Sequence, residues 1–285
     1  MKIKIRITIA LILIATANLN CKKGQLIEES KLAAEQKLNI AYGENAKQDL
    51  DLYLPAKRNE STKIVFLIHG GFWSGGDKRD VSMYAQTLQN SGYAVANINY
   101  RLAGNGLNPH PAQINDIAKA INYVTSKSAE WRISDSKICL IGASAGGHLA
   151  LLYAYAFNSD NRVKAVVSIA GPTNLTDRRN ASEIQKLIIS NFLGKTPQQD
   201  SLIYLAASPI SHVSTLSKPT LLIHGDQDRI VPYLQATDLK VKLDLSMVPN
   251  ELYTVEMAGH DNVISPANTI FTFGKIVSWV DTYVK

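Results

Sequence analysis

Short runs of Ile, Val and Leu at 48–54, 64–68, 94–99, 138–141, 163–169, 220–223 and 252–256 have the length of strands rather than helices. Between them lie segments with a period near 3.6. After Pro111, apolar residues Ile114, Ile117, Ala118, Ile121 and Val124 recur at spacings of three and four, which predicts a helix with that stripe turned inward. Asp116, the one acid in this stretch, is read as a surface or capping residue. Strands alternating with helices predict an α/β fold, a mostly parallel sheet covered on both faces. At 285 residues, with no internal repeat or low-complexity tract, the chain is long enough for a single large domain, expected over 42–285.

One turn between these elements carries chemistry. Gly142-Ala143-Ser144-Ala145-Gly146 follows a strand-like run and opens an apolar segment, from His148 to Tyr155, that reads as a helix. Gly-x-Ser-x-Gly in a strand–turn–helix context is a nucleophile elbow: the turn is strained, the flanking glycines admit close approach of neighbouring chain, and the hydroxyl projects. A serine needs a base, and on such a scaffold acid and base follow it in the order Ser, Asp or Glu, His. Of the six histidines, His69, His110 and His148 precede or adjoin the elbow, and His212 and His224 lie before the loop that would hold the acid. His260, in the polar loop Met257-Ala258-Gly259-His260-Asp261-Asn262, is left as the candidate base. The acid belongs after the strand ending at His224-Gly225, where Asp226 and Asp228 compete. Asp226 follows the glycine directly and is read as a turn residue; Asp228 lies farther out and is the expected partner of His260. His69-Gly70-Gly71-Phe72-Trp73 ends another apolar strand, and the amides of Gly71, Phe72 and Ala145 are the candidate donors to an oxyanion.

With these residues in view, the chain resembles the α/β-hydrolase esterases grouped with the bifunctional feruloyl and acetyl xylan esterases. The resemblance rests on Ile68 through Trp73, Asn97 through Leu102, His110-Pro111-Ala112-Gln113, Gly142 through Ala150, Ala207-Ser208-Pro209-Ile210 and His224 through Pro232. The chain is also similar to hormone-sensitive-lipase-like esterases and kynurenine formamidases. It departs from the lipase-like group after Tyr100-Arg101-Leu102-Ala103, where Gly104-Asn105-Gly106 stands in place of Pro-Glu. The resemblance implies ester hydrolysis through an acyl-enzyme, without metal or organic cofactor, on a small-molecule or oligosaccharide ester. Two other functions stay open: an arylformamidase-like amidase using the same residues, and a non-catalytic glycan-binding lipoprotein on the same scaffold. The insertion at 171–215, with a helical stretch around 184–192, is read as a lid or wall over Ser144, with ordinary packing on the sheet as the other reading of its Ile184, Leu187, Ile188 and Phe192 stripe. Trp73 and Tyr100 are candidates to line the substrate pocket, with the core as their alternative place.

The first residues differ in character from the rest. Lys2, Lys4 and Arg6 precede an apolar run at 7–17, too short for a comfortable membrane span, and a polar stretch begins at Asn18. This is the pattern of a secretory signal over 1–20. Cys21, followed by Lys22, Lys23 and Gly24, resembles a bacterial lipoprotein attachment site, which would tether the protein to a membrane through 21–41; plain secretion is the alternative. The net charge is +6, and three of those positive charges belong to the leading segment, so the basic balance makes no case for nucleic-acid binding. With Cys139 placed in a buried strand, no structural disulfide is expected. The oligomeric state is not legible.

Overall fold

The computed structural model describes residues 32–177, 182–263 and 266–285. In chain order, the strands are β1 (Glu35–Ala41), β2 (Asp49–Leu54), β3 (Ile64–Ile68), β4 (Ala94–Ile98), β5 (Ile138–Ala143), β6 (Val163–Ile169), β7 (Thr220–Gly225) and β8 (Asn250–Val255). They form one sheet in the order β1-β2-β4-β3-β5-β6-β7-β8. The β1–β2 and β2–β4 pairs are antiparallel, and every other pair is parallel. The main helices are α1 (Ser82–Asn90), α2 (Ala112–Ser126), α3 (Ala145–Leu152), α4 (Glu183–Leu193), α5 (Ser201–Ala206), α6 (Leu234–Leu245) and α7 (Pro266–Tyr283).

β3 and β4 are buried at every position, as parallel strands covered on both faces must be. Their side chains divide between two cores. Phe66, Ile98, Leu140 and Ile114 belong to one, and Val65, Val95, Ile141 and Trp279 to the other. The periodicity after Pro111 is realised in α2, whose Ile114, Ile117, Ile121 and Val124 are buried. Asp116 is a correction to the surface reading: it is fully buried on the same helix. Its carboxylate accepts from Gln48 Nε2 at 2.6 Å, from the Arg101 amide at 2.8 Å and from Arg101 NH2 at 2.7 Å. A buried carboxylate is tolerated when it is paired and hydrogen-bonded in this way.

The sheet also begins earlier than the expected domain start at residue 42. Glu35–Ala41, within the segment read as a tether, is the antiparallel edge strand β1. No residue of β1 is fully buried, and its register shifts between Lys37 and Ile40, where Asn39 has φ of 55°. Such an edge lacks the continuous apolar run that announces a central strand. The signal segment and Cys21 lie outside the described residues. Among the described residues, no helix is long and apolar enough to cross a membrane.

The parallel strands all point their carboxyl ends the same way, toward the crevice where open α/β sheets bind ligands. His69 follows β3, Ser144 follows β5, Asp228 lies just beyond β7 and His260 just beyond β8. Topology alone therefore gathers the candidate residues at one end of the sheet.

Candidate active site

Ser144 joins β5 to α3 with φ of 53° and ψ of −122°, a conformation that a residue with a Cβ adopts only under strain. The surrounding packing imposes it. A Cβ at Gly142 would lie 2.1 Å from the carbonyl oxygen of Gly146, and one at Gly146 would lie 2.2 Å from that of Ile68. The two glycines let α3 start directly against β5 and β3, and the side chain between them has to project from the turn.

The hydroxyl meets an imidazole. His260 Nε2 is 2.9 Å from Ser144 Oγ, and His260 Nδ1 is 2.7 Å from Asp228 Oδ2. Asp228 is held from the opposite side as well: its Oδ1 accepts from the amides of Ile230 and Val231, each at 2.8 Å. Burial of this carboxyl works to raise its pKa. The hydrogen bonds from His224 and His260, the charge of His260 and the Val231 amide outweigh that and hold it well below the usual carboxylate range. An ionised carboxylate at Nδ1 keeps the proton there and leaves Nε2 free to accept the serine proton. Asp226, the competitor, makes no bond to His260, and its Oδ1 is buried without a partner among the described residues.

His224 was not among the expected site residues. Its Nε2 lies 2.8 Å from the Val231 carbonyl and 3.3 Å from Asp228 Oδ2, and the ring is buried against Tyr233. It braces the loop from which Asp228 reaches His260. Position four residues before the acid was the only signal, and that spacing carries no meaning until the loop curls back.

The loop after β3 lies against the elbow. Gly71, Phe72 and Trp73 have consecutive φ values of 109°, 55° and 59°, a left-handed run that only the glycine adopts cheaply. The Gly71 carbonyl accepts from the amides of Ser74 and Gly75, which closes the turn. The amides of Gly71 and Phe72 meet no acceptor among the described residues, and Ala145 is the first residue of α3, whose amide has no intrahelical partner by construction. Phe72, Ser144 and Ala145 line one cleft together, and Gly71, Phe72 and Ser144 line another. Amides without acceptors beside a projecting hydroxyl suit a developing negative charge.

The two aromatic candidates separate. Trp73 reaches the cleft, although it is largely buried: it stacks on Phe192 of α4 at 4.4 Å and donates from Nε1 to His148 Nδ1 at 3.2 Å. Tyr100 corrects the pocket-lining reading. It is fully buried, stacks on His69 at 4.4 Å and donates to the His69 carbonyl at 3.0 Å, so it supports the loop from beneath and lines neither cleft. His148 donates from Nε2 to the Ala207 carbonyl at 2.8 Å, which with the Trp73 bond fixes one neutral tautomer, and burial pushes its pKa down to about 3. The insertion splits its apolar stripe. Phe192 is buried against Trp73, Ile188 and Ile189 face the cleft over Ser144, and Ile184 and Leu187 are exposed.

A serine, an aspartate and a histidine met in that chain order around a mostly parallel sheet define an α/β-hydrolase. Residues 50–243 match the BD-FAE family model, and the chain belongs to that family. It is 30% identical over 214 residues to the "Probable carboxylic ester hydrolase LipM" of Mycobacterium tuberculosis, covering 70% of this chain and 49% of that protein. The chain thus spans about half the length of the curated relatives it matches. Among solved structures, a bifunctional GH43-CE protein of Bacteroides eggerthii superimposes with a TM-score of 0.77 at 26% identity, covering 87% of this chain and 38% of that one. Esterase B of Lactobacillus rhamnosus, at 22% identity, shares the fold over 96% of this chain and 94% of its own with a TM-score of 0.73.

Proposed function

We propose that this protein is a serine carboxylesterase that hydrolyses acyl esters of carbohydrates, acetyl or feruloyl, through an acyl-enzyme. The observation that carries the reading is the unbroken relay from Asp228 through His260 to Ser144 Oγ, beside amides that have no acceptor. Ser144 Oγ attacks the ester carbonyl while its proton passes to His260 Nε2. Asp228 stabilises the imidazolium that forms, and the amides of Gly71, Phe72 and Ala145 receive the oxyanion. His260 then protonates the departing alcohol, and water, activated by the same imidazole, releases the acid and restores the serine. The ester-hydrolase name of the mycobacterial relative and the carbohydrate-esterase names among the structural neighbours support the class of substrate.

Turnover of p-nitrophenyl acetate by the purified protein and by Ser144→Ala tests the mechanism. A loss of at least about ten-thousandfold is expected, and undiminished turnover in the variant excludes Ser144 as nucleophile. A parallel assay on a formyl anilide separates esterase from arylformamidase, and acetylated and feruloylated oligosaccharides probe the alcohol. We further propose export and lipid attachment at Cys21, on the sequence pattern of 1–24. Metabolic labelling with palmitate that survives Cys21→Ala would overturn it.

A further inference from the structure

Ser144 stands at the junction of two clefts. One runs beneath α4, walled by Trp73, Leu175, Ile188, Ile189 and Leu234. The other opens over His260 and Asp261 with Tyr84 and Ile169 at its sides. Phe72, Ser144 and Ile230 belong to both, whereas His260 belongs only to the second. The ester carbon, attacked by Ser144 Oγ, must sit where these two spaces meet.

That division assigns a direction to the substrate. In the tetrahedral intermediate the carbon carries Ser144 Oγ, the oxyanion, the acyl substituent and the leaving oxygen. When the bond from carbon to the leaving oxygen breaks, that oxygen takes the proton from His260 Nε2, so it has to lie within hydrogen-bonding reach of the imidazole. The alcohol is thereby placed in the cleft that His260 lines. The oxyanion turns to the amides of the β3 loop and of Ala145. For the acyl substituent the remaining direction is the cleft beneath α4. Its walls are mostly apolar, although Asn174, Asp177, Gln185 and Gln235 also line it: Leu175 and Trp73 are buried, and Phe72 and Leu234 are 42% and 43% exposed. Exposed apolar surface rimming a cleft beside the nucleophile is what a ligand covers.

Resting on the esterase reading above, we propose that the substrate's acyl group lodges beneath α4 with its alcohol over His260, that the preferred acyl group is an apolar one larger than acetyl, and that Ile188 and Ile189 set its size. Each methylene of the acyl chain buried there raises kcat/KM about fourfold, so butyryl, with two more methylenes, is preferred to acetyl by about sixteenfold.

The test uses the purified protein with two matched series: p-nitrophenyl acetate, butyrate and hexanoate, which vary only the acyl side, and the methyl and benzyl esters of one acid, which vary only the alcohol. The wild type is expected to prefer butyrate to acetate by about sixteenfold. Ile189→Trp should lower that ratio at least tenfold while moving the benzyl-to-methyl ratio less than twofold. Ile189→Ala, a gentler change, should shift the preference toward hexanoate. An acyl ratio unmoved by both variants, or a change in the alcohol ratio instead, overturns the assigned direction, and a wild type that prefers acetate overturns the assigned size. A wild type that hydrolyses none of these esters defeats the esterase reading as well, and so is distinguishable from failure of the orientation alone.

Discussion

Ser144 and Ile189 line the same cleft, yet the two sides on which they stand are built differently. The elbow is held by main chain: β5 and α3 are buried almost throughout, and a single added carbon at Gly142 or Gly146 would overlap a backbone oxygen. The α4 wall is held by side chains at one end. Phe192 stacks on Trp73, whereas Ile184 and Leu187 are 72% and 61% exposed and Ile188 and Ile189 are half-buried. The difference separates two demands. The position of a reacting oxygen tolerates little error, and backbone packing supplies that precision. The shape of a substrate pocket can be changed by altering a side chain, and a wall of half-buried aliphatic residues allows such changes without disturbing the relay.

Asp228→Asn should produce the largest effect on the rigid side. It keeps the shape but loses the charge at His260 Nδ1, so kcat should fall about ten-thousandfold and thermal stability at neutral pH should also drop, because the ionised carboxylate is stabilised in the fold. His224→Asn, which loosens the Asp228 loop and removes the ring's contact with Asp228 Oδ2 while keeping Asp228, His260 and Ser144 themselves, should cost about a hundredfold in kcat, with KM for p-nitrophenyl acetate changed less than threefold. An equal loss from both would mean that His224 acts on more than the loop's position. Gly146→Ala comes next. Its methyl has no space against the Ile68 carbonyl, so calorimetry should show destabilisation of about 3 kcal/mol.

A fourth way to sharpen the contrast uses pH. His148 and His110 are pushed down by burial to about 3 and about 4, against about 6.5 in an unfolded chain. Between those values the unfolded chain binds protons that the folded chain refuses. Stability therefore falls as pH drops below about 6.5, by up to about 1.4 kcal/mol per pH unit for each histidine. The contribution of Asp228, whose folded pKa is depressed, is present above about pH 4 and is lost below it. Thermal melts from pH 7.5 to 4.5 should show this slope, reduced by about one proton in His148→Gln. An unchanged slope would remove His148 from the account. The smallest effect belongs to the outer face of the wall: Leu187→Ser should change stability by less than about 0.5 kcal/mol and leave p-nitrophenyl acetate turnover within twofold.

Much of the framework was legible because it is local. β3 and β6 coincide with their apolar runs, and α2 with its three-and-four spacing. The elbow could be read because the glycines that permit a strained turn are adjacent to the serine. β1 was hidden because an edge strand with polar and half-exposed residues carries no periodic signal, and only pairing with β2 orders it. Asp116 was misplaced for a related reason. Gln48 and Arg101, which make its burial tolerable, lie far from it in sequence, and a helical wheel cannot display them.

By itself, then, the amino-acid sequence determined the alternation of strands and helices, the strained serine turn and the chain order of serine, aspartate and histidine, since each follows from steric rules acting over a few residues. The tertiary structure alone decided that Tyr100 lies under the β3 loop rather than in the cleft, that His224 braces the acid, and that two clefts meet at Ser144. Those outcomes depend on distances between segments brought together by the packing of the whole sheet, and no local pattern encodes such distances.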